Sequence, residues 1–415
     1  MYKIKNRINY LKYKFKKIFF NLILIPFYIP ASIIFILIYF LKKKKKIRFF
    51  QLSPRLGFDL PYLDFYFLHE KDENLYLDVF FYYNIPSNLF LKQLIKQRVL
   101  LLSKYICLPI KNIEYAYSLL FKKKISFLLK KLSYGNRDIF GSLDLKISSF
   151  KLSQSNNLHG HKILEKMGLK ENSKFICLNV RDSLFLEKNI FKINMDYHSY
   201  RDSDIDDYLK CCDRLTQLGY YVIRVGVITK KPIKTNNDMI IDYSHSKFRS
   251  DFMDFFLGSN CEFCISTGSG FDSIPFVFRK PILYVNIAPV GLLNASSKKF
   301  MFLPKHHYCN IKKRNLNLKE IFQNNAGMAL KTNDFKDNNI SLKNNNPDEI
   351  LNASLDMINL IKNDFIISEA QIRNVNKFSY ILNKYIPKDK YINIHGKIKS
   401  SFSFSFLDTN NTYLD

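Results

Sequence analysis

Acidic residues are scarce in this chain, and they are missing altogether from its first segment. The 415 residues include 36 Asp and Glu against 64 Lys and Arg, a formal charge of +28. Residues 1–48 hold 13 basic residues and no acid, and the first acidic residue is Asp59. The remaining 367 residues carry 51 basic and 36 acidic side chains, a net of +15. So uneven an excess, with no recognisable nucleic-acid motif beside it, argues against a nucleic-acid binder. Cysteine is sparse too. Seven in 415 residues exclude a disulfide scaffold, and the odd count suits a reducing compartment. Also missing are a Walker A loop, a GxGxxG turn, a GxSxG elbow, an HExxH helix and any repeat of 20–50 residues. With 47% hydrophobic and 15% aromatic residues, disordered and collagen-like chains are excluded. The length fits two or three domains.

One long apolar run is present. Ile18 to Leu41 forms 24 residues without a charge, interrupted by Pro26 and Pro30. About 20 such residues span a bilayer as a straight helix, and proline kinks one. Seven Lys or Arg precede the run (Lys3, Lys5, Arg7, Lys12, Lys14, Lys16, Lys17) and six follow it (Lys42 to Lys46, Arg48). Basic flanks stay on the cytoplasmic side. A hairpin lying in or re-entering the membrane keeps both flanks beside anionic lipid, whereas a single kinked span would separate them. A buried core hairpin is the competing reading. The expectation is attachment to anionic membrane lipid through residues 1–48, with the rest of the chain on the cytoplasmic face of the inner membrane.

Beyond this segment, strands and helices alternate. IRFFQL (47–52) and Leu75–Tyr83 are strand candidates, and 87–132 is helical in composition with a Lys122–Lys124 patch. The clearest strands are Phe175–Val180, Tyr220–Val225, Met239–Tyr243, Glu262–Ser266 and Pro281–Val285. They are short and mostly apolar throughout, as in a parallel sheet buried on both faces. Ser203 and the aspartates at 202, 204, 206 and 207 cap a helix that ends at Gly219. Ser250 opens another, and Pro275 marks the first turn of a third. Asn346-Pro347-Asp348-Glu349 opens a helix over 347–361, and a further one runs from about 368 to 385. The expected architecture is α/β and GT-B-like, with two Rossmann-like halves. Residues 1–46 form the membrane segment, 47–165 an N-terminal acceptor domain and 166–330 a donor domain. A linker (331–346), C-terminal helices (347–390) and a poorly structured tail (391–415) follow.

Ligands of open parallel sheets bind beyond the carboxyl ends of the strands. Polar residues gather there. Ser266-Thr267-Gly268-Ser269-Gly270 follows a buried strand, and its glycines and free N–H groups suit close approach to a phosphate. Arg181-Asp182-Ser183, Arg224 with Gly226, Asp242-Tyr243-Ser244 and Arg249-Ser250-Asp251 end or follow neighbouring elements. Guanidinium pairs bidentately with phosphate oxygens, so Arg181 and Arg224 suit a diphosphate. Surface ion pairs with Asp182, Asp242 or Asp251 are the competing reading. The aromatics of Tyr197–Asp202 offer a platform for a base or sugar. Cys261 and Cys264 lie on or beside a strand, and His159/His161 and His306/His307 lack ligand partners, so no metal is expected.

Several pieces between Asn179 and Asn286 occur in the order seen in a family of bacterial surface-polysaccharide glycosyltransferases of GT-B type, which this stretch resembles. They are Val180–Ser183, Tyr200–Ile205, Val222–Gly226, Ile241–Ser244, Arg249–Asp254 and Ser266–Asp272. More loosely, the half is similar to fucosyltransferases, with Asn179-Val180-Arg181 where those enzymes often show His-x-Arg. The resemblance implies a nucleotide-diphosphate sugar as co-substrate, no cofactor, and a lipid-linked or glycan acceptor. It implies that Arg181 and the Thr267–Gly270 turn hold the donor diphosphate. Arg224, Gly226, Asp242, Tyr243 and Arg249 are further donor-binding candidates, and Asp182 and Asp59 are candidate bases. A pyruvyl or phosphoglycerol transferase, or a non-catalytic scaffold, would fit the same fold. The decisive expectation is geometric: Arg181 should meet the 267–270 turn with its guanidinium not engaged by a carboxylate of its own.

Overall fold

A computed structural model describes residues 23–41, 46–53, 55–72, 76–121, 137–182, 184 and 196–415. The first basic flank, the start of the apolar run, Lys42–Lys45, the Lys122–Lys124 patch and Ser183 lie outside these residues. Two compact units are present, residues 1–55 with 69–133 and residues 56–68 with 134–415.

The first unit holds a three-stranded parallel sheet in the order β1 (Lys46–Leu52), β2 (Tyr76–Tyr82), β3 (Leu100–Leu101). Apolar side chains of β1 and β2 (Phe49, Val79, Phe81) form a core with Cys107, Leu108 and Ile110 of the helix Lys104–Phe121. Leu24 and Ala31 of the apolar run join that core. Residues 28–41 form one helix, with Pro30 in its first turn, where a missing N–H costs little. Pro30 therefore does not divide the run. Among the described residues no helix is long and apolar enough to cross a membrane. A second correction concerns Arg48. Rather than facing lipid, it is buried, paired bidentately with Asp78 at 2.6 Å and 2.6 Å across the β1–β2 register.

The second unit is built on a seven-stranded, all-parallel sheet. Its strands are β4 (Phe175–Asn179), β5 (Tyr221–Arg224), β6 (Ile240–Asp242), β7 (Cys264–Ser266), β8 (Ile282–Ile287), β9 (Phe300–Pro304) and β13 (Ser401–Phe402). The order is β13-β9-β8-β7-β4-β5-β6. A small antiparallel sheet, β10 (His306–Cys309), β11 (Arg314–Asn315) and β12 (Ile340–Lys343), is ordered β11-β10-β12.

Three expected boundaries differ. Residues 56–68 and 134–165 belong to this unit, not to an N-terminal domain ending at 165. The helix Leu56–Phe65 buries Leu60, Leu63 and Phe65, and its buried Asp64 pairs with Arg279 at 2.8 Å, which ties it to the unit. The 331–346 stretch contains the helix Thr332–Asp337 and β12, paired to β10. The 391–415 stretch supplies β13, whose Phe402 is buried, and the helix Phe404–Thr409. Ser403 and Ser405 of that stretch donate to Asp356 at 2.7 Å and 2.9 Å.

Candidate functional site

Sheet topology selects the site. From β4 the chain runs outward through β5 and β6, and then returns to place β7, β8 and β9 on the other side of β4. The strand order reverses between β4 and β7, the position at which open parallel sheets bind ligands beyond the carboxyl ends of their strands. Arg181 leaves one of these strands and the 266–270 turn leaves the other.

The two loops are stitched together. The Asn179 amide donates to Ser266 Oγ at 3.0 Å and to Ser269 Oγ at 2.7 Å. The Arg181 backbone N–H donates to Thr267 Oγ1 at 2.8 Å. Asp272, which follows the turn, accepts from Ser266 Oγ and from the Ser269 N–H, both at 3.1 Å. Burial raises the Asp272 carboxyl to about 7, although these donors oppose the shift. Gly268 has φ +77°, and a Cβ there would stand 2.9 Å from Ile287 Cδ1. At Gly57 in the helix Leu56–Phe65, a Cβ would stand 3.3 Å from Gly270 Cα, so helix and turn touch through two glycines.

The turn therefore differs from an open nest of amides. Gly268 N–H is taken by Ser266 Oγ and Ser269 N–H by Asp272. What this sheet edge offers an anion is a set of cations. Arg201 donates through Nη2 to the Gly268 carbonyl. Lys305, at the end of β9, is buried and donates from Nζ to the Asp202 carbonyl at 2.7 Å. Burial and the neighbouring Arg201 lower Arg181 to about 10, and burial lowers Lys305 to about 8. Both shifts mark positive charge that is incompletely solvated and that an anion would stabilise.

Arg181 departs from expectation in one respect. Its backbone lies against the turn, but its guanidinium donates to Asp202 Oδ1 at 2.9 Å. Asp202 is shared, since Arg181, Lys230 and Lys305 all act on it, while burial holds its carboxyl above the ordinary range.

The other candidates occupy separate networks. Arg224 is buried, donating to the Lys231 carbonyl at 2.6 Å and to Asp242 at 3.2 Å. Asp242 also accepts from the Ile233 N–H at 2.8 Å and Ser244 Oγ at 2.6 Å. Buried Tyr243 donates to Asp254 at 2.9 Å and accepts from the Ser250 N–H at 3.0 Å. Arg249 pairs with Asp251 at 3.2 Å and Asp254 at 3.1 Å. These four residues brace the segments after β5 and β6, because desolvated polar groups must find partners inside the protein. Gly226 (φ +153°) serves that loop too, since a Cβ there would meet Thr229 at 2.9 Å. Asp182 accepts the Leu184 and Lys230 N–H groups at 3.0 Å and 2.8 Å. Asp59 is buried in the helix that abuts Gly270. Tyr200 is no stacking platform: it is buried, with its ring 5.3 Å from that of Phe335.

Sequence reasoning assigned no role to Asn179, Arg201, Asp272 or Lys305. The first three lie within the motif series. Lys305 carries no local signal, because only the β8–β9 pairing brings it to this edge.

No family model matches the chain, and no curated protein matches it. Among solved structures, the glycosyl transferase family 9 protein from Veillonella parvula aligns at TM-score 0.45 and 11% identity, over 76% of this chain and 97% of that one. The E. coli ADP-heptose LPS heptosyltransferase II aligns at 0.33 and 10%, over 62% and 90%. The iron-containing dodecameric glycosyltransferase TibC from enterotoxigenic E. coli aligns at 0.30 and 10%, over 63% and 61%. Likenesses at this level give no residue-by-residue correspondence, and no role is carried over from them.

Proposed function

We propose that the chain is a glycosyltransferase of GT-B type and that its second unit binds a nucleotide-diphosphate sugar. The observation that carries this reading is the set of cations beside the Gly268 turn at the β4/β7 switch point: Arg201 holds the Gly268 carbonyl, the Arg181 backbone holds Thr267, and the Arg181 and Lys305 side chains meet on Asp202. In the transfer, the bond from the anomeric carbon to the diphosphate oxygen breaks while an acceptor hydroxyl bonds to that carbon. Negative charge grows on the leaving diphosphate, and fixed, partly buried cations lower the energy of that state. The hydroxyl proton needs a base. Asp59, whose helix touches Gly270, and Asp182, which holds two backbone N–H groups, are the residues to test. The acceptor in this reading is a lipid-linked or surface-glycan precursor on the cytoplasmic face of the membrane.

The Arg181–Asp202 pair favours a second reading, a scaffold that keeps the fold without activity. Donor binding separates the two. A thermal-shift panel of GDP-, UDP-, dTDP-, ADP- and CMP-sugars on the full chain should give a rise with one nucleotide, lost in Arg181→Ala. No rise with any of them would leave the scaffold.

A further inference from the structure

In the first unit, the helix that continues the apolar run has two unlike faces. Leu24 and Ala31 are buried in the core, with Tyr28 and Ile34 packed beside them, and Tyr28 OH accepts from the Asn112 amide at 2.7 Å. Around the other side of the helix Tyr28–Leu41, Ile29, Ile33 and Leu37 recur every four residues and are 72%, 55% and 54% exposed, and Ile25, in the 3-10 turn just before it, is 58% exposed. Residues four apart share a helix face. An uninterrupted aliphatic stripe left in water is costly and marks a surface that something covers. The neighbouring helix Lys104–Phe121 adds exposed Leu119 and Leu120 near its end.

Charge identifies what covers it. Seven basic residues precede the apolar run and Lys42 to Lys46 follow it, with no acid before Asp59. A partner matching both features is apolar beneath and anionic at its surface, which describes a bilayer containing acidic lipid. We propose that residues 25–37 dock in the plane of an anionic bilayer. Ile25, Ile29, Ile33 and Leu37 enter the acyl boundary, while the opposite face stays packed on the helix Lys104–Phe121 and the core beneath it. The helix neither spans the membrane nor forms the outer half of a hairpin, because its inner face is already occupied. This proposal is independent of the donor site, which lies in the other unit.

The test is flotation of the full chain with vesicles of phosphatidylcholine alone or mixed with phosphatidylglycerol. Wild type should float with the mixed vesicles, and less so at high salt. The variant Ile25→Ser/Ile29→Ser/Ile33→Ser/Leu37→Ser should lose at least about tenfold in binding, given the transfer free energy of four aliphatic side chains. Its circular dichroism should remain that of wild type, since all four side chains are exposed. Equal flotation of variant and wild type would overturn the proposal. So would failure of wild type to float, as when residues 1–22 cover the stripe. A concentration-dependent dimer abolished by the variant would assign the stripe to a second copy and overturn it as well. Donor-induced thermal shifts in the same variant report on the other unit, so failure of either proposal can be told from failure of the other.

Discussion

Asp272 is a buried acid whose work is to hold a turn. It accepts from Ser266 Oγ and the Ser269 N–H, and burial raises it from 3.8 to about 7. Folded protein thus keeps a proton that the unfolded chain has lost. The stability this group contributes is full below 3.8 and is lost as pH rises through about 7. Asp272→Asn keeps a carbonyl acceptor and cannot ionise, so its urea-unfolding free energy should change less with pH over that window. Parallel profiles for variant and wild type would contradict the assignment. Lys305 works in the opposite sense. With its ammonium lowered to about 8, donor affinity should fall as pH rises through about 8 in wild type, and should stay level in Lys305→Arg. Gly268 sits at φ +77°, a conformation costing most residues about 1–2 kcal/mol, so Gly268→Ala should destabilise by at least that amount. A Cβ there would stand 2.9 Å from Ile287 Cδ1, so the turn has to shift, and donor affinity should drop with it.

At the scale of elements, the central strands were legible because strands buried on both faces are continuous apolar runs. FICLN, YVIR, CIS and ILYVNI lie within a few residues of the segments expected for them. What stayed hidden depends on pairing across long sequence separations. The Ser/Phe alternation at 400–406 reads locally as low complexity. Yet Phe402 packs between Phe302 and Phe378 at ring distances of 6.1 Å and 4.7 Å, and β13 pairs with β9 about a hundred residues earlier. Phe402→Ala should cost about 3–5 kcal/mol in chemical denaturation. A loss below about 1 kcal/mol, the range of ordinary surface changes, would mean that the segment is the loose tail its composition implies. The helix Thr332–Asp337 was hidden for the same reason. Its Thr332 hydroxyl accepts from the Tyr200 N–H at 3.3 Å, and so braces the loop that carries Arg201 and Asp202.

For the whole molecule, the sequence's charge divides into two uses. In the sequence, basic residues flank the N-terminal apolar run, while in the second unit Arg201 holds the Gly268 carbonyl and Arg181 and Lys305 meet on the adjacent Asp202. Motif order located that turn and Arg181. It did not show that Arg224 pairs with Asp242 while Tyr243 and Arg249 share Asp254, because such pairing is a property of the folded sheet edge. The proposed site at the β4/β7 edge grips a pyrophosphate. Its most direct test is calorimetric titration of the full chain with the nucleoside diphosphate matching the donor and with its monophosphate, repeated on Lys305→Ala. A charge-assisted hydrogen bond contributes about 1.5–3 kcal/mol, so the diphosphate should bind roughly 10–100-fold more weakly to the variant. In wild type the monophosphate should bind more weakly than the diphosphate. Equal affinities for the two nucleotides, or for the variant and wild type, would contradict the account.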